Sequence, residues 1–259
     1  MGDRIVFLGS GGARIVVFRQ IRASGGIWLT LSEKNILIDP GPGSLVKITQ
    51  SRHKLDPFKI DAVLLSHRHL DHSADVNVII EAMTQGGFKK RGRLYAPRDA
   101  LEGDDPVVLK YLRGFLERVV ILKEKGRYSL NGVEFSTPIR HQHRGETYGF
   151  LFNTDKIKIG YLADTKYFEK LSQAYSADVV IFNVVRLKPS ELDHLSLPDV
   201  ERLILEIRPK LAVITHFGMT IIRAKPWELA EKLSQETKVR VIAARDGMEL
   251  NLEELYAQD

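Results

Sequence analysis

Directly behind the apolar run Ala62–Leu65 the chain reads Ser66-His67-Arg68-His69-Leu70-Asp71-His72. Three histidines and an aspartate fall within six residues of a chain that has only eight histidines. Any fold it adopts must bring this stretch to a strand end where further ligands can meet it. His67 and His69 are two apart, so in an extended segment they point the same way and can chelate one ion. Asp71 and His72 fall where the chain turns into the next helix and can face a second ion. A solvated polar loop is the competing reading, and random loops seldom concentrate ligands in this way. There is no cysteine. That excludes disulfides, thiolate metal sites and a cysteine nucleophile, so a transition metal here must be held by imidazole and carboxylate.

The rest of the chain supplies strand ends. Apolar runs at Ile5–Leu8, Ile15–Phe18, Trp28–Leu31 and Ile36–Ile38 read as strands between Gly/Ser turns. Ala74–Met83 has helical spacing, with Val76, Ile79, Ile80 and Met83 on one face. Residues 86–106, rich in Gly, Arg, Lys and Pro, read as an insertion or lid, and Pro106–Arg118 reads as a helix. The insertion as a whole is thus placed at 86–118. Strands follow at Val119–Leu122, Val133–Thr137, Gly149–Phe152 and Ile157–Leu162. Helices (166–174, 198–206, 226–236) then alternate with strands (179–182, 211–215, 239–242). Two strand-rich halves, each followed by helices, predict an α/β protein with two sheets face to face and helices outside. No linker divides the halves, so 1–259 reads as a single domain.

Polar residues of ligand type close several of these strands. His141 and His143 follow Val133–Thr137, Asp164 follows Ile157–Leu162, and His216 follows Leu211–Thr215. Taken singly, each could merely cap a turn. His194 stands just before the helix 198–206, and Asp39 follows Ile36–Ile38. Two further motifs carry less. Gly9-Ser10-Gly11-Gly12-Ala13-Arg14 resembles a dinucleotide fingerprint but ends in Arg14, with no helix expected after it. The run Lys89-Lys90-Arg91-Gly92-Arg93 could grip phosphate or simply be a solvated loop, and the segment 86–106 that contains it is expected to border the site mouth and set substrate choice.

The ordered set His67-x-His69-x-Asp71-His72, a later His, Asp164 and His216 resembles the metallo-β-lactamase superfamily of hydrolases. Phe7-Leu8-Gly9-Ser10-Gly11-Gly12 and Ile36-Leu37-Ile38-Asp39-Pro40-Gly41 resemble its opening strands. The resemblance spans essentially the whole chain and implies a four-layer αββα sandwich with two metal ions between the sheets. It implies that His67, His69 and a third His hold one ion, that Asp71, His72 and His216 hold the other, and that Asp164 bridges both. His143 is favoured as the third His, with His141 the alternative, because His143-Arg144-x-x-x-Tyr148-Gly149-Phe150 is similar to a loop of ribonuclease Z-like members. Asp39 is expected to orient the histidines rather than bind metal. His194 resembles the extra His of ribonuclease Z and related phosphodiesterases, and with Asp71 it is expected to serve catalysis.

The implied cofactor is a pair of divalent ions, zinc first, with manganese or iron suiting the same ligands. The implied reaction is hydrolysis by a hydroxide shared between the ions. A phosphodiester is the favoured substrate, and a thioester or lactone the alternative. A di-iron redox protein resembles a pattern with Glu at the position of His69, and a non-catalytic scaffold would have lost ligands. The net charge of +5 favours an anionic small-molecule or nucleotide-type substrate, with nucleic acid a further partner and a homodimer an open expectation. No apolar run approaches the ~20 residues that span a bilayer, and no signal-peptide core opens the chain, so a cytoplasmic protein is expected.

Overall fold

The computed structural model describes residues 2–24 and 26–256. Strands β1 (Arg4–Phe7), β2 (Ile27–Leu31), β3 (Lys34–Ile38), β4 (Ala62–Leu64), β5 (Arg93–Ala96) and β6 (Arg118–Ile121) lie side by side in chain order in one sheet. The second sheet runs in chain order through β7 (Gly126–Leu130), β8 (Val133–Thr137), β9 (Phe150–Asn153), β10 (Lys158–Leu162), β11 (Val179–Asn183), β12 (Leu211–Thr215) and β13 (Arg240–Ala243). The last strand, β14 (Met248–Asn251), returns to pair antiparallel with β1. Each sheet is antiparallel on one side and parallel on the other, the parallel parts being β3–β6 and β10–β13.

Alternation along the strands builds the layers. Ile27, Leu29 and Leu31 of β2, with Ile159 and Tyr161 of β10 and Val179 and Ile181 of β11, face the core between the sheets. Trp28, Leu37 and Val63 face the opposite way, against the helix Val76–Met83 and its neighbours. Val180, Phe182, Ala212 and Ile214 pack under the helices Leu197–Ile207 and Pro226–Thr237. Three apolar clusters between four layers make the expected αββα sandwich. Both faces of β11 and β12 are apolar because parallel strands are covered on both sides, so a slip of one residue would have no polar face to expose.

Several local readings need correction. Ile15–Phe18 is not a strand but part of a short helix, Arg14–Phe18, in which only Val16 is buried. A run of four apolar residues does not distinguish the two periods. That helix does follow the Gly9–Arg14 stretch, which was expected to have none. Pro106–Arg118 forms no α-helix, only a 3₁₀ segment at Tyr111–Phe115 that leads into β6. Residues 86–118 are not an insertion, because Arg93–Ala96 is an inner strand between β4 and β6. Glycines and cations around a four-residue strand hid it. The strands β7 and β14 were also missed, since their burial merely alternates and their apolar signal is thin.

Candidate metal centre

The parallel strands of both sheets deliver their following residues to one edge of the sandwich, where ligand sites of open α/β sheets usually form. Leu65-Ser66-His67 follows β4, Asp164 lies just beyond β10, and His216 is next after β12. Asp39 follows β3 and Asn183 closes β11. Asp39 and His216 both adopt positive φ, 51° and 59°, a conformation that costs free energy for non-glycine residues and is found at functional turns. His216 is held there by Phe217, whose N–H donates to Ser10 O at 2.8 Å and whose carbonyl accepts from Gly12 N at 3.2 Å.

His67 Nε2 lies 3.0 Å from His69 Nδ1, and His143 Nε2 lies 3.1 Å from the same atom. The partners of the other ring nitrogens decide the tautomers. Ser66 Oγ gives its one hydrogen to Asp39 Oδ2 at 2.7 Å, so at 3.0 Å from His67 Nδ1 it must accept. His143 Nδ1 donates to the Asp193 carbonyl at 2.7 Å. His67 Nε2 and His143 Nε2 are thus both lone-pair nitrogens aimed at His69 Nδ1. A hydrogen on His69 Nδ1 could satisfy only one of them, so lone pairs are left facing one another unless a cation lies between them. Nitrogens sharing one zinc ion at about 2.0–2.1 Å would stand roughly 3.3 Å apart. The group fits a metal ion.

A second group has the same character. His72 donates from Nδ1 to Asp39 Oδ2 at 3.0 Å, which leaves Nε2 buried without a hydrogen-bond partner. Both ring nitrogens of His216 are likewise buried and unpartnered. Asp71 Oδ2 stands 3.9 Å from His72 Nε2 and 3.5 Å from His216 Nε2, and is held from behind by the Ala13 N–H at 3.2 Å. Asp164 sits between the two groups. Its Oδ2 is 3.5 Å from His72 Nε2 and 3.3 Å from His194 Nε2, and its Oδ1 is 3.5 Å from His216 Nδ1. His67-His69-His143, His67-His72-Asp164, Asp71-His72-His216 and His143-Asp164-His194 each bring ligand atoms within 4.8 Å of one another.

The electrostatics follow from burial and from the two aspartates. Burial pushes His67 and His143 below the usual imidazole range, and His69 down to about 4, so these rings stay neutral as ligands must. Burial opposes charge on His72 and His194 too, but Asp164 and Asp71 outweigh it and raise both. Burial would raise Asp71 and Asp164, yet the surrounding histidines hold both well below the carboxylate range.

The structure brings together every ligand candidate read from the sequence except the alternative, His141. That ring is buried away from the cluster, its Nε2 2.8 Å from the Tyr175 hydroxyl and its Nδ1 3.3 Å from the Asp164 carbonyl, with burial lowering it to about 4. His143→Ala should therefore weaken metal binding strongly and His141→Ala little, as read by elemental analysis after dialysis. Equal retention by His143→Ala and the parent would reverse the assignment.

The basic run behaves otherwise than expected. Arg91 bonds the carbonyls of Phe58 and Ile60 and lies 3.6 Å from Asp61, which precedes β4, so the run sits at the opposite end of β4 from His67. The stretch that does reach the site is 97–105. Arg68 donates to the Asp105 carbonyl at 3.4 Å, and Asp99 accepts from Glu146 N at 2.9 Å, beside the His143 loop.

Sequence reasoning also passed over Gly12. A Cβ there would fall inside the His216 ring, so only glycine allows the Gly11–Ala13 segment to close on the site. Gly12→Ala should displace His216 and lower metal content below the parent's, through the Asp71-His72-His216 group. Parental metal content in this variant would show that the segment yields instead.

Comparison with known proteins agrees with this geometry. A family model described as Beta-lactamase superfamily domain matches residues 34–217. MJ1374 of Methanocaldococcus jannaschii is 34% identical, over 97% of this chain and 96% of that protein. Ribonuclease Z of Thermococcus gammatolerans is 28% identical over a shorter stretch, 38% of this chain and 30% of that protein. Among solved structures, a diphosphatase of the PhnP family superposes with a TM-score of 0.71 at 22% identity, covering 96% of this chain and 97% of its own. A matched domain that takes in the first histidine cluster, Asp164 and His216 on this fold leaves one conclusion: the chain belongs to the metallo-β-lactamase superfamily of hydrolases.

Proposed function

We propose that the chain hydrolyses a phosphodiester of nucleotide type, with one divalent ion held by His67, His69 and His143, a second by Asp71, His72 and His216, and Asp164 between them. Zinc suits this nitrogen and oxygen ligand set, as do manganese and iron. The observation that carries the reading is the set of lone-pair nitrogens fixed to face inward, with His194 Nε2 beside Asp164 and outside both triads. When bound, two such ions supply Lewis acidity and make water a nucleophile near neutral pH. The chain's own residues do the rest. Asp39 and Ser66 hold His67 and His72 in one tautomer. The Ala13 N–H and the buried wall at Gly12 keep Asp71 and His216 in place. His194, protonated at Nε2 toward Asp164, can give that proton to a leaving oxygen. The net positive charge and the likeness to a diphosphatase and to ribonuclease Z support phosphate over carbonyl substrates.

The test is a panel of chromogenic substrates with the zinc- and manganese-loaded protein. Turnover of bis(p-nitrophenyl) phosphate, absent after chelation, is the expected result. Turnover of a thioester or a lactone without any diester hydrolysis would replace this reading with the carbonyl one. No turnover of either class would remove both.

A further inference from the structure

A chain of hydrogen bonds joins the two sheets behind the ligands. His72 Nδ1 donates to Asp39 Oδ2 at 3.0 Å, and the Tyr161 hydroxyl donates to the same oxygen at 2.7 Å. That hydroxyl accepts from Asn183 Nδ2 at 3.2 Å, and the same amide nitrogen donates to Asp164 Oδ1 at 3.0 Å. Asp39 directly follows β3 of the first sheet, while Tyr161 and Asn183 belong to β10 and β11 of the second. Every member is 4% exposed or less.

The directions are forced. Ionised aspartates only accept, so Tyr161 must donate to Asp39 and is left able only to accept from Asn183. This fixes the amide orientation, with its NH₂ group facing both Tyr161 and Asp164. With Asp164 Oδ1 engaged by Asn183, Oδ2 is the oxygen left to face His72 and His194. The two ends of the relay, His72 and Asp164, are a ligand of the second ion and the carboxylate between the ions.

We propose that Tyr161 and Asn183 are positioning residues that set affinity at the second metal site by locking His72 and Asp164 in one arrangement. This rests on the ligand assignment above but not on the substrate. Without the Tyr161 hydroxyl, Asp39 loses an oriented donor and the Asn183 amide loses its fixed acceptor. Asp164 is then free to turn between His216 and His194. Partners of this kind typically change metal affinity by ~10–100-fold. Because the relay acts as a unit, its two members should not be additive.

The experiment titrates zinc in competition with a chromogenic chelator and records the melting midpoint of the metal-free protein. Tyr161→Phe and Asn183→Leu should each weaken the second ion by ~10–100-fold and leave the first nearly unchanged, and the double variant should be little worse than either. Tyr95→Phe is the control. Tyr95 is 2% exposed, and its hydroxyl donates to the Ser129 carbonyl at 3.2 Å, far in the chain from any ligand. It should move the melting midpoint alone.

The proposal is overturned if Tyr161→Phe binds the second ion as tightly as the parent. It is overturned equally if both ions weaken together in step with the melting midpoint, or if the parent binds a single ion. A preserved affinity split in a protein that hydrolyses no diester would discard the substrate reading and leave the relay standing.

Discussion

His194→Ala should keep both metal ions and the fold while kcat falls by ~10²–10⁴-fold, the range that a positioned proton donor supplies. The ring hangs from the loop before the helix Leu197–Ile207, whose start is fixed by the reciprocal Ser196 and Asp199 capping bonds. Leu195 O accepts from Val185 N at 3.3 Å and ties that loop to the end of β11. From this loop His194 Nε2 reaches Asp164 Oδ2 at 3.3 Å, and its ring packs edge-on to His143 at 4.9 Å between centroids. It therefore stands over the site without completing either three-ligand group, although it could approach an ion through the group His143-Asp164-His194. Elemental analysis and steady-state kinetics separate the roles. Loss of an ion in His194→Ala would make the residue a ligand. Full activity on each accepted substrate would make it a bystander.

The second large effect is expected from Asp164→Ala. Asp164 lies within 3.5 Å of ring nitrogens of His72, His194 and His216 alike, and it is 2% exposed. Removing it leaves two buried imidazoles, His72 and His216, already stacked at 4.6 Å, and the half-buried His194 without their shared carboxylate. Asp164 is the strongest of the partners that raise His72 against its burial, so that ring would lose its main electrostatic support. Breaking a buried charged set typically costs ~3–5 kcal/mol, which for a chain of this size means a fall in melting midpoint of roughly 6–20 °C. Metal content should drop from two ions to one or none, and kcat should fall further than in His194→Ala. Asp164→Asn keeps the volume but not the charge and should lie between. Two ions per chain in Asp164→Ala would show that the ions do not share this carboxylate.

Much of the candidate site was legible because its grammar is local. A strand of period two aims His67 and His69 the same way, and a ligand after an apolar run lies at a sheet edge whatever the sheet's partners are. Those two facts, with the absence of cysteine, made His67, His69, Asp71, His72, Asp164 and His216 candidates, and the resemblance to the superfamily collected them into one group. The apolar runs of β2, β3, β11 and β12 likewise announced two sheets with their faces covered.

What spacing along the chain could not decide was every contact that depends on how one sheet sits on the other. His143 and His141 are both strand-end histidines. Only the packed structure turns the first toward His69, 74 residues away, and the second toward Tyr175. Tyr161 reads as an ordinary core residue until its hydroxyl meets Asp39, 122 residues earlier. Asn183 reads as a strand end, and Gly12 as a turn, until His216 and Asp164 arrive beside them. Lys89, Lys90 and Arg91 looked suited to a phosphate, but strand direction carries them to the far end of β4. The physical reason is the same in each case. Periodicity specifies which way a side chain leaves its own strand, whereas the distance between residues on different sheets is set by the close packing of a shared core, to which dozens of side chains contribute at once.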